Sequence, residues 1–89
     1  MTDGGGLKVA VRFYTRAGCH LCDEARSEML AAPCRELYDL EMIDIDTDPE
    51  LVRRYGWDVP VVTINGSHAF KHRLTREDFE SEIRLASKL

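Results

Sequence analysis

The stretch KVAVRFYTRAGCHLCDEAR, residues 8–26, joins a strand pattern to a helix pattern. Its first part, residues 8–15, alternates apolar and polar side chains and is rich in β-forming residues, which predicts a strand. From His20 onward apolar residues recur at helical spacing, acidic residues occupy the first turn, and Pro33 ends the run. This pattern predicts a helix of about three turns. Cys19 therefore ends the loop after the strand and lies where the helix begins.

A second strand and a short helix are predicted in the middle of the chain. Residues 40–46, LEMIDID, carry apolar side chains for both faces of a sheet, as a buried parallel strand does. In the helix that follows, Asp48 suits the capping position, Pro49 suits the first helical position, and Gly56 closes the end. Strand, helix and strand in this order predict a right-handed parallel pair.

The last third of the chain predicts a hairpin and a closing helix. Residues 61–65 and 67–71 have strand patterns and are joined by Asn-Gly, which favours a tight antiparallel turn. Thr75 and Asp78 match a capping box at the start of the last helix. The expected apolar face of this helix consists of Phe79, Ile83, Ala86 and Leu89.

The order of elements, β-α-β-α-β-β-α, predicts an α/β protein with a four-stranded mixed sheet and helices on both faces. The chain has 89 residues, which is enough for one hydrophobic core, so we expect a single domain over residues 7–89. Residues 1–6 end in three glycines, which have the highest ordering cost, and are expected to form a flexible tail.

Composition excludes several classes of function. Apolar residues make up 44% of the chain, charged residues 31%, and the net charge is −4, as in an ordinary globular protein. No basic stripe stands out, so we expect no nucleic-acid partner. No apolar run reaches the ~18 residues of a membrane span, and the N-terminus lacks the pattern of a signal peptide. We therefore expect a cytoplasmic protein with no membrane partner, and we expect it to be a monomer.

The two cysteines of the C-x-x-C sequence are the candidate reactive groups. In a reducing compartment such a pair is more often catalytic or metal-binding than a permanent bridge. Cys19 at the helix start meets free N–H groups that favour a thiolate, and Arg16 and His20 are the nearest cations. Cys22 lies one turn further in and should be more shielded, which suits a resolving thiol. Cys34 is out of phase with the pair and is expected to be a lone, buried or half-exposed thiol.

Three segments together resemble one family. YTRAGCHLC (residues 14–22), DVP (58–60) and VVTING (61–66) resemble the glutaredoxins, and more closely the small glutaredoxin-like proteins of the thioredoxin fold. The resemblance covers essentially the whole expected domain. It implies a thioredoxin fold and the activity of a thiol–disulfide oxidoreductase that works by dithiol exchange.

The resemblance also implies a role for individual residues. Cys19 would be the attacking cysteine and Cys22 the resolving one, with Pro60 as a cis-proline that faces them. Arg16 lies where many glutaredoxins have a lysine that contacts a glutathione carboxylate, and Val59 would offer its backbone to the same ligand. The implied substrate is a disulfide-containing protein or a small-thiol mixed disulfide. We expect no bound cofactor, with glutathione or another small thiol as the reductant.

Two stretches depart from the family pattern. His20-Leu21 stands between the cysteines where glutaredoxins usually have Pro-Tyr. The stretch FKHRL, residues 70–74, replaces the family's Gly-Gly and following acidic residue. Its three basic residues reverse the local charge and would suit a carboxylate or an acidic protein partner.

A binding function remains the alternative. His68 and His72 could form a metal site with the cysteine pair, but 45 residues, 23–67, separate the two halves where a zinc finger has ~12–15. On a strand the two histidines would lie ~13 Å apart, so we predict no metal ligands among them. A module that holds an iron–sulfur cluster or a metal through the C-x-x-C pair, including a cluster shared between two subunits through Cys19, is the binding function that stays open. For Trp57 two interpretations also stay open, a wall of the substrate groove or simple packing.

Overall fold

Residues 8–88 are described by a computed structural model, in which they form four strands and three α-helices in the predicted order. The expected tail, residues 1–6, lies outside the described residues. The elements are β1 (Val9–Thr15), α1 (His20–Ala31), β2 (Tyr38–Asp44), α2 (Pro49–Tyr55), β3 (Val61–Ile64), β4 (Ser67–Lys71) and α3 (Arg76–Ser87). Short 3₁₀ turns at Arg35–Leu37 and Ile45–Thr47 precede β2 and α2. None of the helices in the described part of the chain is long and apolar enough to cross a membrane.

The strands form one mixed sheet in the order β2-β1-β3-β4. β1 pairs with β2 in parallel and with β3 antiparallel, and β4 completes the antiparallel hairpin with β3. The central position of β1 explains why the alternate residues Val9, Val11 and Phe13 are buried. The predicted mixed sheet is confirmed.

Helices cover both faces of the sheet, as predicted. α1 and α3 cover one face, where the core consists mainly of Val11, Phe13, Ala25, Met29, Tyr38, Val62, Phe79 and Ile83. α2 packs on the other face against Tyr14, Ile45 and Val61. The ring of Tyr14 lies 4.6 Å from the ring of Tyr55. Tyr14 therefore belongs to the packing beneath α2.

β2 differs from the prediction in its position and its bounds. It spans Tyr38–Asp44 rather than residues 40–46, and it lies at an edge of the sheet because it pairs only with β1. Met42 pairs with Phe13 on the face covered by α1 and α3, but at this edge of the sheet it is 44% exposed instead of buried. Ile45 is fully buried, but it belongs to the 3₁₀ turn. The last residue of β2 is Asp44, which also caps the 3₁₀ turn that follows. Its carboxylate accepts the Asp46 N–H at 2.9 Å.

The predicted helix caps of α2 and α3 are present. The Asp48 carboxylate accepts the Glu50 N–H at 2.9 Å, and the Thr75 hydroxyl accepts the Asp78 N–H at 3.1 Å. These bonds satisfy N–H groups that would otherwise lack a partner at the start of each helix. On the apolar face of α3, Phe79 and Ile83 are fully buried and Ala86 is partly buried, whereas Leu89 lies outside the described residues.

Glycine is required at two turns for different reasons. Asn65 and Gly66 both have positive φ, 50° and 84°, which is the geometry of the tight hairpin turn that the sequence predicts. Gly56 ends α2 with an ordinary right-handed φ of −54° and not in the left-handed conformation usual for a glycine after a helix. A Cβ on Gly56 would lie 2.5 Å from the Val52 carbonyl oxygen. Close approach of the backbone therefore requires this glycine.

Candidate active site

The cysteine pair lies at the start of α1, where the loop after β1 turns into the helix. Cys19 is the N-cap residue, and Cys22 lies in the first turn. Their sulfur atoms are at disulfide distance and their Cα atoms are 5.2 Å apart, within the usual range for a bridge. The sulfur of Cys19 accepts the Cys22 N–H at 3.1 Å. The same N–H would stabilise a negative charge on this sulfur when the bridge is reduced.

The two sulfurs differ in their access to solvent. Cys22 is only 3% exposed and packs in the core with Ala25 and Met29. Cys19 is partly exposed and packs at the margin of the same core. An incoming disulfide therefore meets Cys19 first, and His20 beside it is exposed as the first residue of α1.

The segment before β3 contains the expected cis bond. The Val59–Pro60 peptide bond is cis, and Pro60 is buried. Val59 is partly buried and packs, like Cys19, at the margin of the core beneath α1 and α3. Its N–H donates to the Tyr55 carbonyl at 3.0 Å. This backbone donor, which the resemblance assigns to a ligand, therefore already has an acceptor within the chain.

Arg16 contacts Asp46 in a two-pronged ion pair. Its Nε donates to Asp46 Oδ2 at 3.3 Å, and a terminal nitrogen donates to Oδ1. A further nitrogen donates to the Gly56 carbonyl at 3.3 Å. The hydrogen bonds to Asp46 raise the pKa of Arg16 above its ordinary value. Arg16 therefore joins the loop before Cys19 to the end of α2, and its charge is already balanced.

Arg16→Ala and Asp46→Asn are each expected to slow exchange with every disulfide substrate by a similar factor, roughly threefold to tenfold, because both loosen the Cys19 loop. The double variant is expected to be no slower than the single variants, since all three lose one shared contact. The measurement is the exchange rate with a neutral and with a carboxylate-bearing small disulfide. A loss in Arg16→Ala confined to the carboxylate-bearing substrate would show instead that Arg16 binds ligand.

A groove of about 690 Å³ lies between α1, the segment after β4 and the start of α3. Leu21, the residue between His20 and Cys22, forms part of its wall. Its lining is Leu21, Glu24, Ala25, Ser27, Glu28, Phe70, His72, Arg73, Leu74, Thr75 and Asp78. The sequence analysis predicted the basic residues of this groove, His72 and Arg73, but did not predict that the carboxylates of Glu24 and Asp78 also line it. Two features of the sequence could have indicated them: Glu24 lies near the start of α1, and Asp78 lies in the capping box of α3.

His72 fastens the segment after β4 to the loop before β3. Its N–H donates to the Pro60 carbonyl at 2.8 Å, and its backbone has a φ of 70°, a left-handed conformation that is uncommon outside glycine. Its Nε2 lies 3.2 Å from the Trp57 carbonyl oxygen and 3.7 Å from Asp58 Oδ1. Both neighbours are acceptors, so Nε2 must carry a proton in this arrangement.

Among residues 8–88, no group of three or more His, Cys, Asp or Glu side chains is placed to hold a metal ion. His72 is engaged with the Trp57 carbonyl, and His68 is exposed on β4. The two histidines therefore do not join the cysteine pair in one ligand set.

Trp57 is 95% exposed. It follows Gly56 in the loop that leads to the cis bond, and its carbonyl oxygen is the one that faces His72. The packing interpretation is wrong for this side chain, since almost none of its surface is covered.

Cys34 is a free thiol and is fully buried. Burial raises the pKa of the Cys34 thiol, and the nearby carboxylates of Glu80 and Glu36 act in the same direction, against the guanidinium of Arg84. The prediction of a lone thiol is confirmed, and burial of this kind makes a thiol less reactive.

Glu28 in the groove wall is paired with Arg76 at the start of α3. Its carboxylate accepts from the Arg76 side chain at 3.1 and 3.2 Å and from the Arg76 backbone N–H at 2.9 Å. These hydrogen bonds lower the pKa of Glu28 below its ordinary value. The pair thus links α1 to α3 on the side of the groove.

Glu28→Gln is expected to lower the melting temperature at pH 7 and to have a shrinking effect as the pH falls. Because the pKa of Glu28 is lower in the folded state, its ionised carboxylate stabilises the fold at pH values above the unfolded-state pKa, about 4.3. This stabilisation is lost as the pH falls through the lower pKa of the folded state. Thermal unfolding between pH 7 and pH 3 measures it, with Glu82→Gln, an exposed carboxylate of α3, as the control. An effect of Glu28→Gln that stays constant over this range would contradict the assignment.

Comparison with known proteins identifies the family to which the sequence is similar. Residues 10–84 match the family described as "Glutaredoxin-like domain (DUF836)". A glutaredoxin-like protein of Dictyostelium discoideum is 31% identical, over 85% of this chain and 80% of that protein.

Solved structures show the fold. A structural genomics target from X. campestris has a TM-score of 0.72 at 24% identity, over 84% of this chain and 96% of that one. A thioredoxin from Halobacterium salinarum has a TM-score of 0.68 at 16% identity, over 92% of this chain and 77% of that one. Identities this low establish the thioredoxin fold and nothing about the reaction.

Proposed function

This chain belongs to the glutaredoxin-like domain family, and from that premise we propose that it is a thiol–disulfide oxidoreductase that works by dithiol exchange through Cys19 and Cys22. The observation that carries the proposal is the unequal pair itself. The two sulfurs lie at disulfide distance at the start of a helix, with Cys19 accessible and Cys22 only 3% exposed. A thiol that attacks must reach solvent, whereas a thiol that resolves needs only to reach its neighbour.

The reaction begins with the thiolate of Cys19. It attacks one sulfur of a substrate disulfide, the substrate S–S bond breaks, and the other substrate sulfur leaves as a thiolate that takes up a proton. The Cys22 thiol then loses its proton and attacks the sulfur of Cys19, which releases the second substrate thiol. The pair ends as an intramolecular disulfide, and two electrons have passed to the substrate.

The Cys19 thiolate is stabilised by its place at the helix start. The helix dipole contributes ~0.3–1 kcal/mol, and the direct bond from the Cys22 N–H adds to it. His20, exposed beside it, adds a positive charge whenever its imidazole is protonated. Arg16 contributes little charge to this thiolate, because Asp46 neutralises it.

The cycle closes with an external reductant. Two molecules of a small thiol, such as glutathione, reduce the Cys19–Cys22 bridge and leave as their own disulfide. The oxidant is a disulfide in a protein or a small-thiol mixed disulfide. A monomer in a reducing cytoplasm would keep the pair as the dithiol and ready to act.

The test uses the reduced full chain and bis(2-hydroxyethyl) disulfide, a neutral substrate that needs no binding site. We expect release of two thiols per chain and loss of the mass of two hydrogen atoms from the protein. Absence of both would refute dithiol exchange. Iron and sulfide in stoichiometric amounts in anaerobically purified, coloured protein would instead support the alternative of a cluster-binding module.

A further inference from the structure

Trp57 is an exposed aromatic side chain on a loop whose backbone is well held. Its own carbonyl faces His72 Nε2 at 3.2 Å, and the N–H groups of Asp58 and Val59 both donate to the Tyr55 carbonyl, at 2.8 and 3.0 Å. The loop is thus fixed by backbone hydrogen bonds, yet the indole remains 95% exposed. Tryptophan in this situation is typical of residues that anchor a protein partner.

The segment Lys71–Arg73 lies beside the same loop, since the His72 N–H donates to the Pro60 carbonyl. Its three residues are exposed and basic in a chain of net charge −4. Among the described residues, neither Lys71 nor Arg73 has an ion-pair partner within 4 Å, whereas His72 faces Asp58. This segment therefore presents uncompensated positive charge next to Trp57.

Two groups that the resemblance assigns to binding of a small thiol are engaged within the chain. The charge of Arg16 is balanced by Asp46, and the Val59 N–H is bonded to the Tyr55 carbonyl. The exposed indole of Trp57 and the two cations are left to make contacts outside the chain, and such side chains suit recognition of a protein surface more than capture of a tripeptide backbone.

We propose that Trp57, Lys71 and Arg73 form a docking surface, the Trp57 surface, for a protein segment that carries acidic side chains next to the disulfide attacked by Cys19. The inference rests on the proposed exchange function and names its substrate class. Charge complementarity identifies the partner as acidic. The groove that Arg73 lines also contains the carboxylates of Glu24 and Asp78, so the partner's acidic residues are expected on only one side of its cysteine.

The test uses synthetic peptides whose single cysteine is joined by a disulfide to a chromogenic aromatic thiol. Four peptides carry two Glu or two Lys residues, placed either before or after the cysteine in an otherwise neutral sequence. Reduced wild-type chain at low salt should react about tenfold faster with Glu than with Lys in one of the two placements, and 0.5 M salt should largely remove the preference. Equal rates with Glu and Lys in both placements would overturn the proposal.

Variants assign the effect to the Trp57 surface. Arg73→Glu should abolish or reverse the preference for Glu. Lys88→Glu makes the same charge change at the other end of α3, about 18 Å from the start of that helix, and should leave the preference intact. Trp57→Ala should lower kcat/KM for all peptides about tenfold, and Leu85→Ala, another exposed apolar side chain, should not. A preference that survives Arg73→Glu, or peptide rates unchanged in Trp57→Ala, would refute the docking surface.

Bis(2-hydroxyethyl) disulfide distinguishes failure of the docking surface from failure of the proposed exchange function. It is too small and too neutral to use the Trp57 surface, so the four variants of this test, at Trp57, Arg73, Leu85 and Lys88, should reduce it at the wild-type rate. If the wild-type chain fails to reduce it, the proposed exchange function fails. If it is reduced throughout but the peptides show no dependence on Trp57 or on charge, only the docking surface is refuted.

Discussion

Cys19→Ser is expected to abolish thiol–disulfide exchange, whereas Cys22→Ser is expected to accumulate a mixed disulfide with its substrate. Cys19 is the accessible sulfur at the helix start, so its loss removes the attacking group. Cys22 is buried within disulfide distance of Cys19, so its loss leaves the attack intact but removes the intramolecular release. The trapped adduct should persist until external thiol is added.

Intact-mass measurement after mixing each variant with a disulfide substrate distinguishes these outcomes. Cys34→Ser is the matched control, because burial raises the pKa of that thiol and the residue lies beyond the C-terminal end of α1. It should retain wild-type turnover. An adduct on Cys22 in the Cys19→Ser protein would reverse the assigned roles, and loss of turnover in Cys34→Ser would give the third cysteine a part in the reaction.

The parts of the site that could be predicted from the sequence are those set by local interactions. The place of Cys19 at the start of α1 follows from a strand pattern, a short loop and a helix pattern in immediate succession. The caps at Asp48 and Thr75 bond to N–H groups two and three residues away. The hairpin turn at Asn65 depends on its own backbone conformation and that of the next residue. Each of these features is decided within one or two turns of chain.

The parts that could not be predicted depend on partners distant in sequence. Arg16 looked like a free cation, but its partner Asp46 is 30 residues away and is brought close only when β1 and β2 pair. The order of strands places β2 at the edge of the sheet, which exposes Met42 although its sequence resembles a buried strand. The exposure of Trp57 likewise follows from the path of its loop, since tryptophan is usually well covered.

The stability of the site depends on the hydrophobic core beneath the cysteine pair. Phe79 is the core residue whose substitution tests this dependence most directly. Phe79 is fully buried at the start of α3, with its ring edge-on to Tyr38 at 5.2 Å and 6.5 Å from the ring of Phe70. The same core includes Cys22 and Met29 of α1. Loss of this ring therefore weakens the packing that positions the resolving cysteine.

Phe79→Ala is expected to lower the free energy of unfolding by about 3–5 kcal/mol, because the ring's burial and its aromatic contacts are lost and a cavity remains. A domain of this size has ~5–15 kcal/mol in total, so the melting temperature should fall by roughly 15 °C or more. Urea unfolding at 25 °C, with an unchanged m-value, measures the loss. Leu85→Ala on the same helix removes a side chain that is 59% exposed and should change the free energy of unfolding by no more than about 0.5 kcal/mol. If Phe79→Ala is as mild as Leu85→Ala, α3 does not support the core beneath the cysteine pair, and the site is held by the sheet and α1 alone.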